Sequence, residues 1–292
     1  MLRYRHLSQV MLNVSNLARS RDFYSALPGL QPIDEDSTPR SVHFRVGTDR
    51  TLLALCAGPS PGLKRFGFEM ESQAALDHLA RTLDRHGVKW TPLERGFRMT
   101  EPHTTVTVDF QCGVPVDDLE PSGPTAAIAG FGHIVLRSPA YREAVAFWRD
   151  VLGFRLSDEI DGRISLLRCF PNPLHHSLGI ASGERAMFHH LNFRVGDDAD
   201  LESLARGLRG NKVAIASGPG THAPSGNQFL YFLDPDGLTL EMSTVAERFE
   251  EGSERAPRLL PDRPESFAIG NVRRDARMYT VGEIEESATQ SG

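Results

Sequence analysis

Residues 133–154 read HIVLRSPAYREAVAFWRDVLGF: an apolar strand, a short polar link, an amphipathic helix with an aromatic pair (Phe147-Trp148), then a turn. Residues 9–30, QVMLNVSNLARSRDFYSALPGL, repeat that order 124 positions earlier, with Phe23-Tyr24 as the aromatic pair. Two further matches follow. RFGFEMESQAALDHLARTL (65–83) resembles HLNFRVGDDADLESLARGL (190–208) at an offset of 125. Each is a strand, then polar residues suited to capping, then a helix with apolar i, i+3, i+4 spacing. VTVDFQCGVPVD (106–117) lies over LYFLDPDGLTLE (230–241), again at 124. Three matches in order at a nearly constant offset indicate a duplicated chain.

Within each copy a strand–helix–strands unit occurs twice, over roughly 6–57, 64–118, 128–182 and 187–243. Each helix would cover one face of a small sheet, and the units would bury their remaining faces against one another. Between the copies, LEPSGPTAAIAG (119–130) reads as a linker. Past Glu241 the chain turns charged and proline-containing, VAERFEEGSERAPRLLPDRPE. The last segment therefore reads as an arm or irregular extension, packed on a neighbouring subunit.

Composition narrows the class. Hydrophobic residues at 40% and charged residues at 24% of 292 fit a soluble globular protein. A net charge of −6 with no Lys/Arg block gives no reason to expect nucleic-acid binding. Cys56, Cys112 and Cys169 are odd in number and far apart, so neither a disulfide framework nor a CxxC site is expected. The N-terminus has no continuous apolar run of signal-peptide type, and no stretch approaches the roughly 18 apolar residues that span a bilayer. A reducing cytoplasm is the expected location.

The copies differ where chemistry would sit. In the C-terminal copy the first strands of the two units begin at His133 and His190, and the strand after DPDG ends its apolar alternation at Glu241. The aligned N-terminal positions hold Gln9, Arg65 and Asp117. Similar packing with different polar residues points to ligand chemistry kept in one copy. Two imidazoles and a carboxylate suit a divalent ion and leave positions open on it, as in non-haem Fe(II) oxygenases. Zinc or Mn(II) would accept the same donors. In the paired histidines, neighbours on an extended strand face opposite ways, so one of each pair is expected to face a common site. Alternation with Asn192 and Arg194 favours His190 over His189. His222 and Tyr231, nine residues apart on a hairpin, would come back over the metal, and one of His175 and His176 would join them.

At these residues the sequence resembles the type I extradiol ring-cleavage dioxygenases, of catechol 2,3-dioxygenase type, in the vicinal oxygen chelate superfamily. The signature reads Gly220-Thr-His222, Leu230-Tyr231, Asp234-Pro235-Asp236-Gly237 and Glu241, with GHIVL around His133, HHS at 175–177 and HHLNFRV at 189–195. The resemblance covers roughly residues 6–243 and implies an α+β fold: four βαβββ modules in two paired-module domains, with open barrel-like sheets around a metal cavity. Residues 1–122 would form the metal-free domain, 123–246 the catalytic domain and 247–292 a C-terminal extension. It further implies Fe(II), or Mn(II), held by His133, His190 and Glu241, with His176, His222 and Tyr231 as catalytic residues. The implied reaction inserts both atoms of O2 into a small aromatic diol. A homo-oligomer without nucleic-acid or membrane partners is implied as well. The loop after His222, APSGN, departs from the versions associated with bicyclic substrates and leaves the catechol open. Two rivals share the fold: a glyoxalase-like metal-dependent isomerase or transferase, and a metal-free aromatic-binding protein.

Overall fold

The four units are four βαβββ modules in the computed structural model, which describes residues 2–47, 51–113, 128–270 and 272–286. The first comprises β1 (Tyr4–Val14), α1 (Leu17–Ser25), β2 (Leu30–Thr38), β3 (Ser41–Val46) and β4 (Thr51–Ala57). The second comprises β5 (Gly62–Met70), α2 (Gln73–Arg85), β6 (Trp90–Leu93), β7 (Gly96–Thr100) and β8 (Thr107–Gln111). The third has β9 (Ile128–Ser138), α3 (Tyr141–Ala146) running on into a π-turn (Phe147–Val151), β10 (Arg155–Ile160), β11 (Ile164–Arg168) and β12 (Leu178–Ser182). The fourth has β13 (Met187–Val195), α4 (Asp198–Gly210), β14 (Ile215–His222), β15 (Gln228–Leu233) and β16 (Thr239–Ser243).

Local chemistry sets the helix starts. The side chains of Asn16, Ser72 and Asp197 accept from the backbone N–H three residues on, satisfying groups that the first helical turn leaves unpaired. α4 buries Leu201, Leu204, Ala205 and Leu208, the stripe that 3.6 residues per turn brings onto one face.

The N-terminal modules form one sheet in the order β2-β3-β4-β1-β5-β8-β7-β6, and the C-terminal modules repeat the order as β10-β11-β12-β9-β13-β16-β15-β14. In both, the modules join antiparallel through their first strands, while the last strand of each module runs parallel to its first. Neither sheet closes on itself. The topology makes β9, β13 and β16 neighbours near the middle of the C-terminal sheet, which is where the differing residues lie.

The described residues of the extension add strands to the sheets of their own chain. β17 (Arg258–Leu260) adds to β10, β18 (Ala268–Ile269) adds to β14, and β19 (Glu283–Ile284) crosses to lie parallel to β5 of the other sheet. Both ends of the C-terminal sheet are thereby covered. At the crossing, Gly282 has φ +150°, and a Cβ there would stand 2.3 Å from the Phe188 carbonyl oxygen. No described helix is long and apolar enough to cross a membrane.

One expected alignment is overturned. Gly67 pairs with Asp109 as Asn192 pairs with Glu241, so Asp109, not Asp117, is the counterpart of Glu241. The offset between copies is 125 at α2 and α4 but 132 at β8 and β16, because the β14–β15 hairpin carrying His222 is longer than its N-terminal equivalent. Asp117, linker residues 119–127 and the expected boundary after residue 122 lie outside the described residues.

A single apolar core joins the halves. Trp148, fully buried, stacks on Phe66 at 6.0 Å and meets Phe68 and Phe154 edge-on, while the Tyr4 hydroxyl donates to the Leu152 carbonyl at 2.6 Å. Trp148→Ala is expected to cost about 3–5 kcal/mol. Urea unfolding should show a lower midpoint in one transition for both halves; two separate transitions would count against a shared core.

Candidate metal centre

His133 on β9, His190 on β13 and Glu241 on β16 converge from three adjacent strands. His133 Nε2 lies 3.0 Å and His190 Nε2 3.1 Å from Glu241 Oε2, and the two nitrogens are 3.1 Å apart. Glu241 has no exposed surface, and its Oε2 accepts no hydrogen bond although two ring nitrogens stand beside it. Burial would push the Glu241 carboxyl up, but the imidazoles of His133, His190 and His222 overturn this and hold it well below its ordinary range. Burial also pushes the His190 imidazole down to about 4, against the raising influence of Glu241. A buried carboxylate thus faces a neutral imidazole lone pair, an arrangement that a cation balances and a proton does not.

The spacing fits that group. With metal–ligand bonds of about 2.1 Å, ligands at right angles stand about 3.0 Å apart and tetrahedral ones about 3.4 Å. The observed triangle therefore suits one face of an octahedron, with the opposite positions open. Gly132, beside His133, leaves room for this packing: a Cβ there would lie 2.0 Å from Asn192 Oδ1.

His133 and His190 open onto a cavity of about 600 Å³ whose lining also includes His176, His222 and Tyr231, with Glu241 buried behind them. His222 stacks on Phe229 at 3.9 Å, sets Nδ1 3.1 Å from the Phe267 carbonyl, and places Nε2 2.9 Å from Glu241 Oε1 and 3.3 Å from the Tyr231 hydroxyl. The His176 ring lies 4.1 Å from that of His133, and burial drives its pKa well below the ordinary value. His175, which lies outside any strand just before β12, does not line the cavity and turns Nε2 to Asp158. In the second pair a bulge between Phe188 and His190 breaks the alternation, so His189 lines the cavity too, stacked on Tyr279 at 3.6 Å.

Sequence reasoning missed what stands behind His176. His175 Nδ1 is 3.0 Å from His176 Nδ1, and His175 Nε2 is 2.9 Å from Asp158 Oδ2. Asp158, without exposed surface, is gripped by Arg255 and Arg258 of the extension at 2.6–3.0 Å. Asp158, His175 and Glu247 also have ligand-like spacing. Their cation is already supplied by the two guanidinium groups.

The N-terminal copy solves the same problem without an ion. Gln9 and Arg65 occupy the places of the histidines, and Arg98 occupies that of Tyr231 by register across β7–β8. Asp109 accepts from Gln9 at 3.1 Å and from Arg98 at 2.6 and 2.9 Å, with Arg65 at 3.3 Å.

Comparison with known proteins places this geometry in context. The family model described as the glyoxalase/bleomycin resistance protein/dioxygenase superfamily matches residues 6–98 and 130–242. A biphenyl-2,3-diol 1,2-dioxygenase of Paraburkholderia xenovorans (strain LB400) is 27% identical over 262 residues, covering 81% of this chain and 86% of that protein. An iron-dependent extradiol dioxygenase of Rhodococcus jostii (strain RHA1) is 25% identical over 278 residues, covering 85% and 92%. Among solved structures, the Mn(II)-bound glyoxalase from Novosphingobium aromaticivorans shares the fold, with a TM-score of 0.83 at 21% identity over 98% of this chain and 97% of that one.

The Asp158 network yields a pH test. Burial would raise the Asp158 carboxyl, but His175, Arg258 and Arg255 hold it well below the ordinary carboxylate range. A carboxyl depressed on folding stabilises above its unfolded pKa of about 3.9 and loses that contribution as pH falls below it. Asp158→Asn should therefore lower stability markedly at pH 7, and the loss should shrink steadily as pH falls below about 3.9, being smallest at the most acid pH at which the fold persists. A loss that stays equal across that range in denaturant titrations would contradict this.

Proposed function

We propose, from the premise that this chain belongs to the glyoxalase/bleomycin resistance protein/dioxygenase superfamily, that it is an extradiol dioxygenase. It opens a catechol-type ring beside the diol, and both atoms of O2 enter a 2-hydroxymuconic-semialdehyde-type product. One observation carries the reading: three donor atoms 3.0–3.1 Å apart, with the polar groups of His176, His222 and Tyr231 lining the same cavity. In this reading His133, His190 and Glu241 hold Fe(II), for which Mn(II) can substitute. Residues 123–246 are then the catalytic half and residues 1–122 a metal-free scaffold. The iron dependence of the Rhodococcus relative supports Fe(II).

The bound ion would polarise both diol oxygens, lower their pKa and give O2 a position beside the ring. The protein's own groups handle the protons. Asp158 accepts from His175 Nε2–H, which leaves His175 Nδ1 bare to accept from His176 Nδ1–H. His176 Nε2 is then an acceptor, and burial keeps the ring neutral. It takes a proton from the diol and returns it as the ring opens. His222 is held at Nδ1 by the Phe267 carbonyl and at Nε2 by Glu241 Oε1, which sets its ring beside the Tyr231 hydroxyl, and these two side chains orient the diol.

An isomerase that uses carboxylates of both copies is disfavoured, because Asp109 is consumed by Arg65 and Arg98. Exposed Leu259 and Ile269 on the outermost strands support assembly into a homo-oligomer; a monomeric mass in light scattering would remove that part.

Anaerobic loading with Fe(II), addition of catechol and admission of air should give a yellow ring-opened product. O2 uptake without it sinks the reading, and Mn(II) loading in parallel decides the ion. Glu241→Ala should lose metal by elemental analysis of the purified protein. His176→Phe should keep metal but turn over about 10²-fold or more slowly; unchanged turnover removes His176 from proton handling.

A further inference from the structure

We propose that the cavity contains an anion subsite centred on Arg137, and that the substrate is a catechol whose apolar substituent ends in a carboxylate. This rests on the ring-cleavage reading above.

Arg137 lies on β9, on the same face as His133 and Val135, because strand side chains alternate. Four residues of extended chain separate the backbones of His133 and Arg137 by about 13 Å. The side chain is half-buried. Its recorded contacts are the Tyr279 ring, 5.5 Å from the guanidinium carbon, and Met187 Sδ at 4.0 Å. Among the described residues no carboxylate lies within ion-pair distance of it. Other half-buried arginines of this chain are paired: Arg65 and Arg98 with Asp109, and Arg255 with Asp158 and Glu247. Arg137 departs from that pattern inside the cavity that faces the metal donors.

The surroundings intensify the imbalance. Burial lowers the pKa of Arg137, Tyr279 partly offsets this, and the neighbouring cations Arg163 and Arg185 lower it further, whereas an anion beside it would restore it. Pairing of Ile164 with Ala181, and of Ala181 with Arg137, brings Arg163 to the same end of the cavity. Asp262, also in the lining, stands 3.6 Å from Arg163, and Arg274 adds a further positive charge from the extension. Between the two ends the wall is apolar at Val135 and Leu166, and Ile164 and Ala181 continue it beside Arg137.

This layout describes a ligand. One end presents adjacent oxygens to the metal, the middle is apolar, and the far end is a planar anion that a guanidinium receives with two parallel hydrogen bonds. Unsubstituted catechol would reach only the metal end of a cavity of about 600 Å³. A chain of a few carbons ending in a carboxylate spans the remainder.

The test is calorimetric and needs no turnover. The Fe(II)-loaded full chain is titrated without O2 with catechol, with 3-(2,3-dihydroxyphenyl)propionate and its 3,4-isomer, and with the methyl esters of both acids. At least one acid should bind about tenfold or more tightly than its ester, the range of a charge-assisted hydrogen bond. In Arg137→Met that ratio should fall to about one, and Arg137→Lys, which keeps the charge, should restore part of it. If catechol binds the natural protein but acids and esters bind equally, the anion subsite is overturned and ring cleavage stands. A ratio that persists in Arg137→Met overturns the assignment to Arg137. If no catechol binds the loaded protein, both readings fall together.

Discussion

A carboxylate with no exposed surface, set against imidazoles of which His190 is kept neutral by burial, is the constraint around which the C-terminal half is built. An ionised group in such a place is tolerated only with a compensating charge and filled hydrogen bonds. The sheet order answers this by making β9, β13 and β16 neighbours, so that His133, His190 and Glu241 meet without help from any loop. Side chains on central strands are held more firmly than side chains on loops, as a donor set with spacings of 3.0–3.1 Å requires.

The two copies show two answers to one electrostatic problem. In the N-terminal half the carboxylate survives as Asp109, and the positive charge is covalent, carried by Arg65 and Arg98. In the C-terminal half the matching places hold His190 and Tyr231, which bring no charge near neutral pH. The two copies thus share a backbone and an acid, which one copy surrounds with built-in cations and the other with neutral groups. The extension uses the arginine answer a second time, with Arg255 and Arg258 around Asp158.

Much of this was legible in the sequence because it follows local rules. Alternation and helical spacing delimited all four modules, and the differing residues within the repeat drew attention to His133, His190 and Glu241. The signature around Gly220 and Asp234 added His222 and Tyr231. What stayed hidden depends on register and on distant partners. The longer β14–β15 hairpin displaced the final strand match, so Asp117 stood in for Asp109. A bulge, which no alternation pattern announces, turned His189 into the cavity. Asp158 reaches Arg255 and Arg258 across about a hundred residues, and nothing in a charged, proline-containing tail indicates which acid its arginines will find. The same holds for Tyr279, whose position against His189 depends on the path of the extension.

That path has a mechanical consequence. After β18 the chain carries Tyr279 over the cavity, ties it down through a hydrogen bond from its N–H to the Thr239 hydroxyl at 3.0 Å, and fastens its end to the opposite sheet through β19. The segment behaves as a belt with a buckle on each half. With β18 on β14 and β19 on β5, the placement of Tyr279 beside His189 in the C-terminal cavity depends on strands of both halves.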